Sequence, residues 1–288
     1  MSEKEYDIVV AGAGHNSLVT AAYLAKAGLS VLVLESRNII GGNTTSEELT
    51  IPGFLHDSCS SAHVLIQNSP LMKNNELHLD RYGLSYIKPD TVASLPFLDG
   101  NNITMFKDME KTVAEFAKYS ERDSREYRKF LKEWSEVSPT YAAERYNPPR
   151  NESEVLKDYE ALPNGGRWLQ TRMRSSKEII EERFEEEHVR AFLGWMAFQT
   201  VQPINRKNTG FLAYSILAGR QANSWTTPRG GSIQLPLALE HFIQEHGGRV
   251  ILSTHIEKII LENGRADQEQ SRRFPVELVV FCKVATPC

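Results

Sequence analysis

The sequence contains few cysteines, no excess of positive charge and no long apolar stretch. Its three cysteines, Cys59, Cys282 and Cys288, are too few and too scattered for a disulfide framework, and no C-x-x-C pair occurs. Thiol–disulfide redox chemistry is therefore excluded. Lysine and arginine number 33 against 37 aspartates and glutamates, which gives a formal net charge of −4. A dedicated nucleic-acid binder would carry a strong basic excess, so no nucleic-acid partner is expected.

Membrane-spanning and secreted proteins are also disfavoured. The sequence contains no run of about 18 apolar residues, so no transmembrane segment is expected. Residues 1–7 are acidic and polar, which is typical of neither a secretory signal nor a basic transit peptide, and we expect a cytoplasmic location. With 288 residues, of which 41% are hydrophobic and 24% charged, the chain has material for one large globular domain or two ordinary ones.

The first part of the sequence predicts a β-α-β unit. Residues 7–11 form an apolar, β-branched run that predicts a strand buried on both faces, and residues 30–35 predict a second one. Between them, residues 18–27 carry apolar side chains at helical spacing, and Gly28 ends the predicted helix. Two parallel strands need such a crossover, so a parallel sheet is expected here.

A glycine-rich turn, Gly12-x-Gly14-x-x-Ser17, joins the first predicted strand to the helix. Gly12 permits a tight turn, Gly14 lets the backbone approach a pyrophosphate, and a small third residue lets helix and strand pack closely. Ser17 is small, although glycine or alanine is usual there. Glu35 ends the second strand, where a carboxylate accepts hydrogen bonds from an adenosine ribose. The pattern predicts a dinucleotide site; the alternative is a glycine-rich turn without a ligand.

A second element, Arg37-x-x-x-Gly41-Gly42, follows closely and bears on which dinucleotide binds. A glycine pair lets another stretch of backbone lie against the ligand, and an arginine can pair with phosphate. NAD(P)-dependent dehydrogenases do not require this element, whereas many flavoproteins have it. It therefore favours FAD, with an NAD(P)-dependent dehydrogenase as one alternative and an ordinary loop as another.

The middle of the sequence predicts short strands followed by a series of helices. Short strand-like pieces between residues 79 and 106 include a hairpin signal at Asp99-Gly100, and Asp108 predicts the N-cap of a helix to Lys118. Further helices are predicted over 124–137, 176–199, 211–218 and 233–245, loops over 147–151 and 163–166, and strands over 249–252, 256–261 and 276–281. The aromatic residues here are individually interpreted as helix core, but as a group they suggest an apolar substrate. They are Trp168, Phe184, Phe192, Trp195, Phe198, Phe211, Tyr214 and Trp225.

The run from Tyr6 to Asn16, together with Glu35 and Gly41-Gly42, resembles the phytoene desaturase and carotenoid ketolase-like branch of FAD-dependent oxidoreductases. The Gly-His-Asn variant is especially similar to relatives of pyridine nucleotide-disulfide oxidoreductase domain-containing protein 2. Further landmarks agree in order: Pro52-Gly53-Phe54, Asp57, Asp80-Arg81-Tyr82-Gly83-Leu84, Pro228-x-Gly230-Gly231 and Gly247-Gly248-Arg249-Val250.

The resemblance implies an α/β fold in which a Rossmann-like FAD-binding domain with a parallel sheet is interrupted by an α+β substrate domain. The expected division is 5–78 and 225–266 for the FAD-binding domain, 79–224 for the substrate domain, and an atypical tail over 267–288. Several residues are expected to hold FAD: Gly12, Ala13, Gly14, Asn16 and Ser17 at the pyrophosphate, Glu35 at the ribose, Arg37, Gly41, Gly42 and Thr44 towards the flavin, and Ile256 at the adenine through its backbone.

The implied activity is dehydrogenation, desaturation or oxygenation of a small apolar, carotenoid-like or secondary-metabolite substrate, for which a peripheral membrane contact is conceivable. Because the flavin carries the redox chemistry, no acid–base residue is required and none is marked. His15, His56, Cys59 and His63 are weak candidates for a direct role, and no cluster has metal-ligand spacing. A further alternative is a truncated, catalytically silent relative, because residues 267–288 depart from the pattern. The sequence indicates neither the electron acceptor nor the oligomeric state.

Overall fold

The structure, a computed structural model, describes residues 6–256, 261–262, 265–266 and 279–280. Short 3-10 turns occur at Gly42–Thr44, Ile66–Asn68 and Leu79–Tyr82. In chain order the strands and helices are β1 (Ile8–Ala11), α1 (His15–Lys26), β2 (Val31–Leu34), β3 (Ser46–Glu47), β4 (His56–Asp57), α2 (Pro70–Lys73), β5 (Tyr86–Ile87), β6 (Thr91–Pro96), β7 (Asn102–Phe106), α3 (Met109–Ala117), α4 (Glu121–Tyr146), α5 (Glu152–Glu160), α6 (Gly165–Met173), α7 (Ser176–Arg183), α8 (Glu187–Phe198), α9 (Gly210–Asn223), β8 (Thr227–Pro228), α10 (Gln234–Glu245), β9 (Arg249–Ile251), β10 (Leu261–Glu262), β11 (Arg265–Ala266) and β12 (Val279–Val280).

The chain divides into two units, and the first is discontinuous in sequence. Unit 1 takes residues 6–63, 73–87 and the described residues from 227 onward, whereas unit 2 takes residues 64–72 and 88–226.

Unit 1 is built on a parallel sheet. Its described strands lie in the order β12-β1-β2-β9, and every neighbouring pair is parallel. Residues of β2 are buried throughout, as expected for a strand covered on both faces. The helix α1 connects β1 to β2 and packs against α10. The predicted α/β class with a Rossmann-like parallel sheet is thus confirmed.

The element boundaries in unit 1 differ slightly from the predictions. α1 begins at His15 rather than at residue 18, because the extended backbone of Gly14 serves as its N-cap. Its end is as predicted, with Gly28 in the left-handed region at φ 90°. The strand predicted over 256–261 was wrong at Ile256, which lies outside any strand, while 261–262 pair with 265–266 in an antiparallel ladder. Residues 257–260 of that prediction, and all of 276–281 except the strand β12, fall outside the described residues.

Unit 2 combines one antiparallel hairpin with a cluster of helices. β6 and β7 pair around Asp99-Gly100 as predicted, and the Asp108 carboxylate accepts a hydrogen bond from the Glu110 N–H at 2.8 Å, which confirms the predicted N-cap. The single helix predicted over 176–199 was wrong, because the chain forms two helices, α7 and α8. Between them, the backbone N–H groups of Glu185 and Glu186 donate to the buried Asp123 carboxylate at 3.0 and 2.8 Å, and these bonds stabilise the break.

The core of unit 2 is aromatic. Phe130 stacks on Tyr214 with 3.7 Å between ring centroids, and Trp134 packs edge-on against Trp168 and Phe211. The interpretation as helix core is confirmed for the buried members of the predicted aromatic group, which are Trp168, Phe184, Phe192, Phe211 and Tyr214. Phe198, in contrast, is 50% exposed.

Candidate dinucleotide site

The turn after β1 leaves an open stretch of backbone at the N-terminus of α1. Gly12 has φ 88°, which favours glycine, and its N–H donates to the Leu34 carbonyl at 2.7 Å. A Cβ built on Gly12 or Gly14 would meet no described atom within 4 Å, so a ligand has room against this turn. Ser17 is buried behind the turn and Asn16 is exposed. The first N–H groups of α1 face this opening without a side-chain cap, an arrangement suited to phosphate.

Glu35 places its carboxylate directly against the same turn. Its Oε2 accepts the backbone N–H of Ala13 at 2.8 Å, and its Oε1 accepts the N–H of Arg37 at 2.9 Å and the hydroxyl of Ser36 at 3.2 Å. The side chain is 8% exposed. These bonds fix the carboxylate in one orientation and leave one lone pair, on Oε2, for a hydroxyl donor.

The Gly41-Gly42 pair lies alongside the first turn. The Gly41 N–H donates to the Ala13 carbonyl at 2.7 Å, and Gly14 and Gly41 form an isolated parallel bridge. Both glycines of the pair have positive φ, 108° and 58°. The buried Thr44 hydroxyl donates to the Gly41 carbonyl at 2.7 Å and fixes this second turn. Two predicted glycine elements are thereby brought into direct contact.

Arg37 and Ile256 are placed differently from the other candidates. The Arg37 guanidinium forms an ion pair with Glu47 at 2.9 Å, so its charge is already partnered. Ile256 packs, partly buried, beside β1 and β2 residues. The segment before it is anchored to the end of β2, because Thr254 donates its N–H to the Glu35 carbonyl at 2.8 Å.

A buried polar cluster lies in unit 1 on the turn that precedes α10. His63 shares hydrogen bonds with Tyr86 and Ser232, each at 3.2 Å. The Asp57 carboxylate accepts the Ser232 N–H at 2.8 Å and the Ser46 hydroxyl at 2.6 Å. Sequence reasoning singled out His63 weakly and missed Ser46 and Ser232. The one signal in the sequence was Gly231, a glycine in the turn before α10. In the structure, a Cβ at this position would come 2.5 Å from the Ser46 hydroxyl.

The histidines near the site are held neutral. Burial lowers the pKa of His15, and a hydrogen bond with the Gly41 backbone, which has the opposite effect, offsets this only in part. Burial also lowers the pKa of His63 to about 4; Asp57 opposes this shift and His15 adds to it. His56 and Cys59, the other weak candidates, are exposed. Among the described residues there is no group of side chains placed to hold a metal ion, and none of the described helices is long and apolar enough to cross a membrane.

A parallel sheet, a glycine turn opening onto a helix N-terminus and a glutamate after the second strand define a Rossmann-like dinucleotide-binding protein. The family model for the NAD(P)-binding Rossmann-like domain matches residues 10–74.

Several known proteins are similar to this chain. One of the subunits of limonene dehydrogenase from Castellaniella defragrans is 31% identical over 269 residues, which are 92% of this chain and 48% of that protein. Pyridine nucleotide-disulfide oxidoreductase domain-containing protein 2 of Mus musculus is 26% identical, over 91% of this chain and 50% of that protein. A structure of putrescine oxidase with bound putrescine shares the fold, with a TM-score of 0.60 at 18% identity, over 96% of this chain and 57% of that one.

The chain has a Rossmann-like dinucleotide-binding domain and is similar to oxidoreductases, and these similarities support FAD as its cofactor. It spans about half the length of the curated relatives it matches.

Proposed function

We propose that this chain binds FAD in unit 1 and serves an oxidoreductase that acts on a small apolar substrate held by unit 2. The observation that carries the proposal is the Glu35 carboxylate, oriented by the Ala13 N–H at 2.8 Å beside two glycine turns that touch each other. Many flavoproteins have such a pair of turns, whereas NAD(P)-dependent dehydrogenases do not require the second one.

In this proposal, each predicted residue has a place along the cofactor. The open turn of Gly12, Ala13 and Gly14, with Asn16 and Ser17 in the first turn of α1, faces the pyrophosphate, and Glu35 accepts a hydrogen bond from a ribose hydroxyl. The turn formed by Gly41, Gly42 and Thr44 continues towards the flavin. Arg37 reaches a phosphate only by giving up its ion pair with Glu47, and Ile256 offers its backbone to the adenine.

FAD, when bound, would supply the hydride or electron transfer. The residues of this chain would orient it and exclude water, and the neutral His15 and His63 would add no positive charge beside the glycine turns. The division into an FAD-binding domain interrupted by a substrate domain, expected at 79–224, is part of the same proposal.

The substrate class is proposed on two grounds. The sequence resembles the phytoene desaturase and carotenoid ketolase-like branch, and one relative takes its name from limonene, a hydrocarbon. Dehydrogenation or desaturation of an apolar carbon skeleton fits both, with oxygenation at carbon as the other outcome of flavin chemistry.

The direct test is cofactor binding by the purified chain. We expect retained flavin with absorbance near about 450 nm, and equilibrium titration with FAD should show Glu35→Gln binding at least about ten-fold more weakly, since one lost charge-assisted hydrogen bond is worth roughly that factor. Glu48→Gln, which removes an exposed carboxylate nearby in sequence, is the matched control and should retain affinity. Protection by NADP⁺ or NAD⁺ without any FAD binding would overturn the proposal in favour of a nicotinamide-dependent dehydrogenase, and FAD binding without turnover of any tested terpene would favour a silent relative.

A further inference from the structure

A partly buried arginine, Arg220, lies near the end of α9 in unit 2, and no described carboxylate forms an ion pair with it. The Arg220 Nη2 donates to Gln199 Oε1 at 3.0 Å, and the guanidinium carbon lies 4.0 Å from the ring centroid of Trp225. The Nη1 atom is buried and, within the described part of the chain, has no hydrogen-bond partner. Two N–H donors on one nitrogen are therefore left unused.

The positive charge of Arg220 is also uncompensated among the described residues, where no carboxylate forms an ion pair with it. Burial lowers the pKa of Arg220 to about 10, so the side chain still carries its charge at neutral pH. Other arginines of the same unit behave differently: Arg183 pairs with Glu133 at 2.8 Å and Arg172 with Glu144 at 2.7 Å. Removing part of a charged group from water without an opposite charge beside it is unfavourable, so an anionic ligand at Arg220 would be stabilising.

Strained backbone flanks both partners of this arginine. Ser224, next to Trp225, has φ 60° and ψ −162°, a region that almost only glycine adopts, and it is held there by a hydrogen bond from its N–H to the Arg220 carbonyl at 2.7 Å. Val201, two residues after Gln199, has φ 58°, an outlier for a β-branched residue. Such strain persists only where the surrounding structure imposes it, and it concentrates at ligand sites.

We propose that Arg220, Gln199 and Trp225 form a binding site for a carboxylate carried on an apolar body. A single guanidinium matches a single negative charge, and its planar N–H donors match the planar carboxylate. The apolar part of the ligand has a surface beside the site, since Phe198 and Val201, which flank Gln199 in sequence, are 50% and 78% exposed. Gln199 and Trp225, which contact the guanidinium, are only partly buried. The anion can therefore reach Nη1 from solvent when one of these two side chains moves aside. The proposal stands apart from FAD binding, because each of these residues lies in unit 2.

The experiment is a calorimetric titration of the chain with benzoate, alongside benzyl alcohol as the uncharged analogue and inorganic phosphate as an anion of different shape. We expect saturable benzoate binding that Arg220→Gln weakens at least ten-fold and Arg220→Lys weakens less, because lysine keeps the charge without the planar donors. Arg206→Gln is the matched control: Arg206 is exposed and also donates to a glutamine, Gln202, at 3.2 Å. It should bind benzoate as the unmodified chain does. Benzoate binding should also change the tryptophan fluorescence of the chain, because Trp225 lies against the guanidinium. Trp225→Phe should abolish most of this change.

Equal benzoate affinity in the Arg220→Gln and unmodified chains would overturn the proposal, as would the absence of saturable binding, or binding of benzyl alcohol as tight as that of benzoate. Preferred binding of phosphate would overturn the assignment to a carboxylate. Far-ultraviolet circular dichroism and the thermal midpoint verify that each variant folds, and Arg220→Lys keeps the test valid if Arg220→Gln does not. FAD titration of the same preparations separates a failure at this site from a failure of the proposed cofactor function.

Discussion

Gly42 lies so close to Gly14 that a Cβ at position 42 would come within 3.2 Å of the Gly14 Cα. The two glycine elements that suggested a flavoprotein in the sequence are therefore in contact, and Gly42 cannot gain a side chain without shifting the Gly14 backbone. The spacing of the two turns depends on backbone alone, which makes it a sensitive point for testing the site.

Gly42→Ala should weaken FAD binding at least about ten-fold, because the new methyl group displaces the Gly14 backbone and a left-handed alanine costs a further ~1 kcal/mol. Isothermal titration with FAD measures the effect. Gly100→Ala in the β6–β7 hairpin is the control, since Gly100 also has positive φ but its Cβ would meet no described atom within 4 Å. It should lose similar stability and keep its FAD affinity; equal affinity in both variants would contradict the assignment of the second turn to the cofactor.

His63 should make unit 1 less stable in acid. Because burial lowers its folded-state pKa to about 4, the unfolded chain binds more protons between pH 6.5 and that value, and stability falls as the pH is lowered through this window. The contribution amounts to about 3 kcal/mol at most. Urea denaturation at several pH values should show a shallower acid loss in His63→Gln than in the unmodified chain. The exposed His56→Gln serves as the control, and parallel profiles for all three proteins would refute this role.

Asp123→Ala should destabilise unit 2 by about 2–3 kcal/mol, because the N–H groups of Glu185 and Glu186 lose their acceptor. The Asp123 side chain is fully buried, so water does not replace it freely. Asp158→Ala removes an exposed carboxylate paired with Arg150 and should change stability by less than about 1 kcal/mol. Chemical denaturation followed by tryptophan fluorescence measures both, and a loss no greater than that of the control would show that the break between α7 and α8 does not depend on Asp123.

Ser175→Ala should cost about 1 kcal/mol of unfolding free energy, because it removes half of a capping box. The Ser175 hydroxyl accepts the Glu178 N–H at 3.2 Å, and the Glu178 carboxylate accepts the Ser175 N–H at 2.8 Å. Ser135→Ala inside α4 is the comparison, and it should be neutral or slightly stabilising because alanine is the better helix former. Thermal unfolding measures both variants. An equal change in stability in the two would show that the loss of a hydroxyl, and not the loss of the helix cap, causes the effect.

The sequence predicts unit 1 well where structure is local. The apolar runs and the glycine turn specify β1, α1 and β2 within a few residues, and the contact between the two glycine elements follows from that unit. The cluster of Asp57, His63 and Ser232 was beyond such reasoning, because its members are far apart in the chain and no spacing rule joins them.

Unit 2 shows where local patterns fail. The break between α7 and α8 depends on Asp123, a residue distant in sequence, so helical periodicity across 176–199 gave no warning of it. The start of α6 was missed because the glycines at 165–166 indicate a turn, so the loop predicted over 163–166 was wrong at these two residues; α5 was not predicted at all. Gly165 is needed for another reason: a Cβ there would come 2.5 Å from the carbonyl oxygens of Tyr159 and Glu160, so glycine permits α6 to start directly against α5.

The parallel sheet of unit 1 has a consequence for how the chain acquires its structure during synthesis. β2 pairs with β9. The sheet beside Glu35 therefore cannot form completely until Arg249–Ile251 has left the ribosome, long after the glycine turns have emerged. Every residue of unit 2 is translated in that interval. We therefore expect chains truncated near residue 230 and released from the ribosome to protect unit 2 from proteolysis while unit 1 is still cleaved. The inserted unit then forms first, and the nucleotide half, whose strands come from both ends of the chain, is completed last.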